Sequence, residues 1–166
     1  MSRKSKVAVV MGSDSDLGVM QDCVEALRDF NIFCEVRILS AHRCPEELVE
    51  YVKSLSKKGV QVVIAAAGGA AHLPGVIAAH TDLPVIGVPM ETKYLKGIDS
   101  LFSIVQMPKG VPVATMSIGE AGAKNAAVFA AEILGLKDKK VSGLLAGFKK
   151  EQKQSALKKD KDLRRS

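Results

Sequence analysis

His42 and Arg43 are the adjacent side chains of this sequence best suited to proton transfer beside an anion. They lie in the short polar segment Ser40-Ala41-His42-Arg43-Cys44. Histidine is the side chain that changes its charge near neutral pH, and an arginine guanidinium binds phosphate through paired hydrogen bonds. A lone histidine is often structural, but a loop position beside arginine favours a functional role. We therefore take His42 as the candidate catalytic residue.

A second polar segment, Gly12-Ser13-Asp14-Ser15-Asp16, follows the apolar run Val7–Met11. At the start of a helix, backbone N–H groups point towards any bound anion. Serine hydroxyls can donate to phosphate oxygens, and carboxylates can accept hydrogen bonds from ribose hydroxyls. The same residues would equally make an ordinary helix N-cap. Neither the Walker pattern nor the GxGxxG spacing of dinucleotide sites is present.

A third segment combines small residues with one histidine: Gly68-Gly69-Ala70-Ala71-His72-Leu73-Pro74-Gly75. Small residues let the backbone approach a flat ligand closely, with amides available as donors. Close packing against a neighbouring subunit is the alternative interpretation. His72 is a candidate second proton carrier, and a structural role for it fits the sequence equally well.

Metal and serine-hydrolase chemistry find no support in the residue spacing. The three histidines stand at positions 42, 72 and 80, with no HExxH pattern and no GxSxG segment. The three cysteines, Cys23, Cys34 and Cys44, show no CxxC spacing. This pattern predicts neither a disulfide framework nor a zinc site and indicates a reducing, cytoplasmic location.

Short apolar runs alternate with helical patterns along the chain. Strands are expected at Val7–Met11, Phe33–Leu39, Gln61–Ala67, Val85–Val88 and Val113–Ser117. Helices are expected after residue 16, from Pro45, up to about His80, over Ala123–Leu134 and from about Asp138, with a less regular stretch from Lys93 to Met107. This alternation predicts an α/β fold with a central parallel sheet in three layers, flavodoxin-like or Rossmann-like. In such folds the ligand lies where strands end and helices begin.

The charge distribution predicts one domain with a basic end. Residues 149–166 carry eight Lys/Arg and three Asp/Glu, whereas the rest of the chain carries 16 and 15. We expect a single domain over residues 1–166, with a core of about 6–136 and a C-terminal helix and basic tail of about 138–166. A solvated helix explains the tail, with an anionic partner as the alternative. Aromatic residues make up only 4% of the chain, which argues against single-stranded nucleic-acid binding. Because the chain outside the tail is also nearly neutral, no nucleic-acid partner is expected. The sequence has no long, uninterrupted apolar stretch, so no membrane span is expected.

Two expected helices, around Val76–Ala79 and Ala123–Leu134, are apolar or small on nearly every face. A helix that is hydrophobic all round must be buried on all sides. One small sheet cannot easily hide two such helices. The sequence therefore predicts a homo-oligomer.

Four segments, taken in order, resemble one known family: Met11–Asp16, Ser40–Pro45, Gly68–Gly75 and Asp99–Pro108. They resemble the PurE family of N5-carboxyaminoimidazole ribonucleotide mutases from bacterial purine synthesis. The resemblance implies a reaction without cofactor or metal, which moves a carboxylate from the exocyclic N5 to ring carbon C4 of a ribonucleotide substrate. It also implies a flavodoxin-like fold assembled as an octamer.

Carried over residue by residue, the resemblance assigns the catalytic acid/base to His42. It implies phosphate and ribose contacts at Ser13, Asp16 and Arg43, and a pocket wall at Ser40, Gly69, Ala70, His72 and Leu73. One imidazole can deliver a proton to the nitrogen that loses carbon dioxide and later remove the proton from C4. A closed site that is poor in water would keep the carbon dioxide.

The sequence departs from the family at two positions. Ala66 stands where glycine is expected and should narrow the pocket floor, and Cys44 replaces the usual threonine and is expected to be non-catalytic. No role is assigned to Glu91 or Lys93.

Two alternative functions stay open beside the mutase. The nearest alternative is the related enzyme class that adds free carbon dioxide to aminoimidazole ribonucleotide. The other is a non-enzymatic nucleotide-binding module in which His42 merely contacts the ligand.

Overall fold

A sheet of five parallel strands lies at the centre of the chain in the computed structural model, which describes residues 4–165. The strands are β1 (Val7–Met11), β2 (Cys34–Ile38), β3 (Val62–Ala67), β4 (Val85–Pro89) and β5 (Ala114–Thr115). Their spatial order is β2-β1-β3-β4-β5. This is the flavodoxin-like order, and it confirms the predicted α/β fold with a central parallel sheet.

Six α-helices in the described part of the chain cover both faces of the sheet. They are α1 (Leu17–Asp29), α2 (Pro45–Lys58), α3 (Leu73–Ala78), α4 (Ile98–Val105), α5 (Glu120–Gly135) and α6 (Lys139–Leu163). One hydrophobic cluster joins α1, α5 and the start of α6 to one face of the sheet. A second cluster joins α2, α3 and Ile104 of α4 to the other face. The chain therefore has the three layers that the sequence predicts.

The strand β1 is apolar throughout because helices cover it on both sides. All five of its residues are fully buried. Val7, Val9 and Met11 face the layer of α1 and α5, whereas Ala8 and Val10 face the layer of α2 and α3. A continuous apolar run is typical of a parallel strand between two helical layers.

The stretch from Lys93 to Met107 contains the helix α4, so the prediction of a less regular segment was wrong there. α4 begins after Gly97, which has a φ of +89°. Ile104 is buried against β4, while Phe102 on the opposite face is exposed. α4 has only eight residues, fewer than the window of about 11–18 residues over which a helical period is recognised, so its sequence does not reveal it.

Strand β5 is shorter than the sequence predicts. The expected strand was Val113–Ser117, but only Ala114–Thr115 pairs. β5 lies at the edge of the sheet and bonds to β4 alone.

The apolar helices α3 and α5 are covered mainly within their own chain. α5 packs against α1 and α6, and its alanines at 123, 126, 127, 130 and 131 are fully buried. In α3, Leu73 and Ile77 are buried against the sheet. For α5, the start of α6 supplies the surface that the sequence argument assigned to a second subunit. These two helices therefore no longer support the prediction of an oligomer.

The second half of α6 extends into solvent. Val141 and Leu145 are buried, and the ring of Phe148 contacts that of Phe30 with centroids 5.5 Å apart. From residue 149 to residue 165 every side chain is exposed, in agreement with a solvated helix. No helix within residues 4–165 is long and apolar enough to cross a membrane.

The domain division stays a prediction. The predicted core of about 6–136 contains the whole sheet, and the segment of about 138–166 contains α6. Residues 1–3 and 166, which the single predicted domain includes, lie outside the described part of the chain.

Candidate active site

A cleft of about 470 Å³ lies at the carboxyl ends of β1, β2, β3 and β4. Ligand pockets in proteins commonly measure roughly 300–1,000 Å³. In this strand order the winding of the chain reverses between β1 and β3, and ligands bind at that switch point. Seven of the nine predicted site residues line the cleft: Ser13, Asp16, Ser40, His42, Arg43, His72 and Leu73.

The other two predicted site residues, Gly69 and Ala70, do not line the cleft wall, although their loop borders it. The prediction left out several lining residues of the same loops, namely Gly12, Ser15, Ala41, Ala67 and Gly68. It also gave no role to Met90 and Glu91, which line the cleft after β4. Their place at the carboxyl end of a parallel strand is the signal that points to them.

A hydrogen bond joins His42 and His72 at the cleft. Nε2 of His42 lies 2.7 Å from Nδ1 of His72, and the ring planes meet at 80°. One of these nitrogens donates and the other accepts, so the bond couples the tautomers of the two rings. It uses one nitrogen of each ring and leaves the second for a ligand. The two rings together can hold a proton and pass it on.

Arg43 links the loop after β2 to the loop after β1. Its Nη2 donates to the carbonyl oxygen of Gly12 over 2.8 Å, and its backbone N–H donates to the Ser40 hydroxyl over 3.3 Å. A guanidinium has five N–H donors in a planar fork. The contact with Gly12 therefore orients the fork and leaves other donors for an anion beside the first loop.

The thiol of Cys44 stabilises the turn that carries His42. The Ser40 N–H donates to Sγ over 3.1 Å, and the thiol donates to the Ser40 carbonyl oxygen over 3.3 Å. Cys44 also precedes the first turn of α2 as its N-cap residue. These contacts give the thiol a structural task within the loop.

Ala66 lies away from the cleft. It is fully buried in the cluster between the sheet and the layer of α1 and α5, whereas Ala67 lines the cleft. Successive side chains of a strand point to opposite faces of the sheet. The expectation that Ala66 narrows the pocket floor is therefore not met.

The loop after β1 holds a carboxyl group that is partly removed from water. Ser13 Oγ accepts the Ser15 N–H over 3.3 Å, and Ser15 Oγ donates to the Asp16 carboxylate over 3.2 Å. Burial raises the pKa of Asp16 above its ordinary 3.8, the bond from Ser15 lowers it, and the charge of Asp14 raises it further. The net shift is upward, so the folded chain keeps this carboxylate ionised at a cost.

The loop after β3 has an unusual backbone. Gly69 has a φ of +68° and Ala71 a φ of +36°. A non-glycine residue in such a conformation costs of order 1–3 kcal/mol and persists only where the surroundings hold it. The Ala71 N–H donates to the Gly68 carbonyl oxygen over 3.3 Å. This tight turn places His72 at the cleft.

The polar groups of the cleft are proton carriers and hydrogen-bonding groups. Within residues 4–165, no group of three or more His, Cys, Asp or Glu side chains is arranged to hold a metal ion. Donors to an anion come from Arg43 and the loop after β1. The arrangement can therefore bind a phosphorylated molecule at one end and transfer protons at the histidine pair.

The sequence of the chain is similar to that of a family of known enzymes. The AIR carboxylase family model matches residues 6–155. The N5-carboxyaminoimidazole ribonucleotide mutase of Saccharolobus solfataricus is 53% identical over 152 residues, which cover 92% of this chain and 95% of the relative. The protein of the same name from Mycobacterium leprae is 52% identical over 165 residues, which cover 99% and 95%.

The fold is likewise similar to that of solved structures. Treponema denticola PurE superposes with a TM-score of 0.85 at 28% identity, covering 95% of this chain and 97% of that one. A 3-dehydroquinate dehydratase-like protein from Bifidobacterium longum superposes with a TM-score of 0.52 at 21% identity. The second likeness shows a shared fold alone.

Replacing Asp16 by asparagine should stabilise the chain at neutral pH. Because the folded state raises the pKa of Asp16, its ionised form disfavours folding, and stability falls as the pH rises through the interval above 3.8. Asparagine carries no charge in either state. We expect Asp16→Asn to raise the free energy of unfolding at pH 7 and to lose this advantage below pH 3.8, as measured by urea denaturation at several pH values. An advantage that does not change with pH would contradict this explanation.

Proposed function

The chain belongs to the AIR carboxylase family, and from this premise we propose that it is an N5-carboxyaminoimidazole ribonucleotide mutase of purine biosynthesis. The reaction moves a carboxylate from the exocyclic N5 to ring carbon C4 of a small ribonucleotide. Relatives of that name, about half identical over most of the chain, support the assignment. The observation that carries it is the bonded pair of His42 and His72 in a cleft that also holds Arg43 and Ser13.

His42 is suited to both proton transfers of this reaction. When the bond between N5 and the carboxylate carbon breaks, carbon dioxide leaves and N5 takes a proton from His42. Carbon dioxide then bonds to C4, the C4–H bond breaks, and its proton returns to His42. The proton lent in the first step is recovered in the second, so one acid/base is sufficient. The bond to His72 couples the tautomer of His42 to that of His72.

The substrate's phosphate and ribose are assigned to the wall formed by the loops after β1 and β2. Ser13 and Arg43 donate to the phosphate, and Asp16 accepts from a ribose hydroxyl. Ser40 and Leu73 bound the ring, and the loop of Gly69 and Ala70 supports that wall from behind. Binding energy gained at the phosphate, away from the reacting atoms, holds the ring in register with carbon dioxide.

Direct carboxylation of aminoimidazole ribonucleotide by free carbon dioxide is the second candidate. It is favoured by one observation, the name AIR carboxylase of the matching family model. We favour the mutase because the curated relatives of 49–53% identity carry the mutase name. The two reactions share the removal of a proton from C4 and differ in the source of the carbon dioxide.

We also propose that the working enzyme is a homo-oligomer, and that the assembly is an octamer as the family resemblance implies. In one chain the cleft is open, since His42, Arg43 and His72 are exposed, whereas retention of carbon dioxide calls for a closed site. Next to the cleft, α4 and the turn before it present an exposed apolar face. Its side chains, each 48–84% exposed, are Tyr94, Leu95, Ile98, Phe102 and Val105. A second copy would cover this face and shield the cleft.

We place the enzyme in the cytoplasm. All three cysteines are free thiols, and Cys23 is fully buried, which fits a reducing compartment. The proposed partners are the ribonucleotide substrate and other copies of the chain, with no nucleic acid and no membrane among them.

Replacing His42 by asparagine should abolish most turnover and leave binding intact. General acid–base catalysis contributes ~10²–10⁴-fold, so conversion of the carbamate ribonucleotide should fall by that order. Turnover is followed by formation of the C4-carboxylate, and binding by calorimetry with aminoimidazole ribonucleotide. His80→Asn is the matched control, because His80 follows α3, its ring bonds to the Val76 carbonyl oxygen, and it does not line the cleft. Equal turnover in the His42 variant and the wild type would exclude His42 as the proton carrier.

Replacing Phe102 by glutamate should disrupt the assembly. Phe102 is 59% exposed at the centre of the apolar face, and a charge there would be buried by a second copy. In sedimentation at micromolar concentration, the wild type should be several times the 17.7 kDa chain mass and the variant smaller. Leu157→Glu, at a side chain 57% exposed on α6, should keep the wild-type mass. A monomeric wild type would overturn the proposed oligomer.

A further inference from the structure

The segment Asp99–Pro108 is the one family-like motif whose residues stay out of the cleft. It begins in α4, where Ser100 is fully buried. A buried hydroxyl is costly unless it is hydrogen-bonded. The bonds that Ser100 makes therefore indicate why a serine stands there.

Ser100 and Ser103 hold both backbone polar groups of Gly69. Ser100 Oγ accepts the Gly69 N–H over 3.0 Å and donates to the Met90 carbonyl oxygen over 2.7 Å. Ser103 lies one turn later, and its hydroxyl donates to two carbonyl oxygens. These are the oxygen of Asp99 at 2.7 Å and that of Gly69 at 3.2 Å, which share the one hydroxyl proton. The glycine loop is thus attached to α4 through a single residue.

That residue stands at the point of the loop where the backbone is least usual. Gly69 and Ala71 both have positive φ, and His72 follows directly. A strained turn needs surroundings that determine it from several sides. If the peptide groups of Gly69 were released, the turn could relax, and Nδ1 of His72 would leave its position 2.7 Å from His42.

α4 is itself anchored, so it can serve as a fixed support. Thr92 Oγ1 donates to Asp99 Oδ1 over 2.8 Å and accepts the Gly97 N–H over 3.2 Å. Behind the helix, Ile104 packs where Gly87 of β4 has no side chain, since a Cβ there would lie 2.5 Å from Ile104 Cγ2. The support therefore runs from β4 through α4 to the glycine loop.

We propose that Ser100 and Ser103 are positioning residues for the reaction, which act by holding Gly69 and through it the loop that delivers His72. They touch neither the cleft nor the reacting atoms. This inference rests on the proposed function, because it assigns the two serines to the histidine pair of that reaction. The phosphate end of the substrate is held by other loops and does not depend on them.

The test compares Ser100→Ala and Ser103→Ala with the wild type. A misplacement of about 1 Å can cost ~10²-fold in rate, so we expect kcat to fall about 10²-fold for Ser100→Ala. Ser103→Ala removes one bond to Gly69, so kcat should fall about tenfold. The affinity for ribose 5-phosphate should not change, and amide hydrogen exchange at Gly69 should become faster in Ser100→Ala. Ser103→Thr keeps a hydroxyl and should restore turnover.

Ser54→Ala is the matched control, because Ser54 Oγ donates to the Tyr51 carbonyl oxygen of α2, away from the cleft. It should keep wild-type kinetics. Since Ser103 is exposed, its variant should fold even if the Ser100 variant does not. The positioning role would be overturned if the folded variants kept the wild-type kcat, or if their affinity for ribose 5-phosphate fell by the same factor as kcat. Either result would leave the proposed function standing. A wild type that binds ribose 5-phosphate without converting the carbamate ribonucleotide would overturn the proposed function and the inference with it.

Discussion

The pairing of β1 between β2 and β3 is the interaction on which the cleft depends. Met11, the last residue of β1, pairs with Ile38 on one side and with Ala66 on the other. Parallel ladders thus bring three strand ends level, and the winding reverses beside β1. The loops that carry His42 and His72 leave strands two positions apart, about 10 Å at the usual strand spacing. The two rings meet across the end of β1.

Several features that lower the stability of the isolated chain gather around this cleft. Asp16 is ionised in a partly buried place, and Ala71 has a strained backbone. The outer face of α4 exposes Phe102 and its apolar neighbours. Strain and desolvation of this kind concentrate at functional sites, where they serve ligand binding or assembly rather than folding. The proposed mutase accounts for all three, through ribose binding, the histidine loop and the subunit contact.

Local patterns predicted the parts of the structure that local physics determines. The strands β1 and β3 are continuous apolar runs because they are buried on both faces. The three cleft loops were found because they follow strands. The helix α4 was missed because its eight residues are too few for a helical period to be recognised. The bond between His42 and His72 and the bonds of Ser100 to Gly69 and Met90 join residues distant in the chain, and only the packed sheet brings them together.

In the proposed reaction the cleft transfers one carboxylate within one bound substrate. The most direct measurement supplies the ribonucleotide with ¹³C in its carbamate carbon, in excess unlabelled bicarbonate, and follows the label in the C4-carboxylate by mass spectrometry. A mutase that retains its carbon dioxide keeps most of the label in the product during the first turnovers. Product labelled no more than the surrounding bicarbonate would show that the carbon dioxide comes from solution, and would contradict the mutase in favour of direct carboxylation.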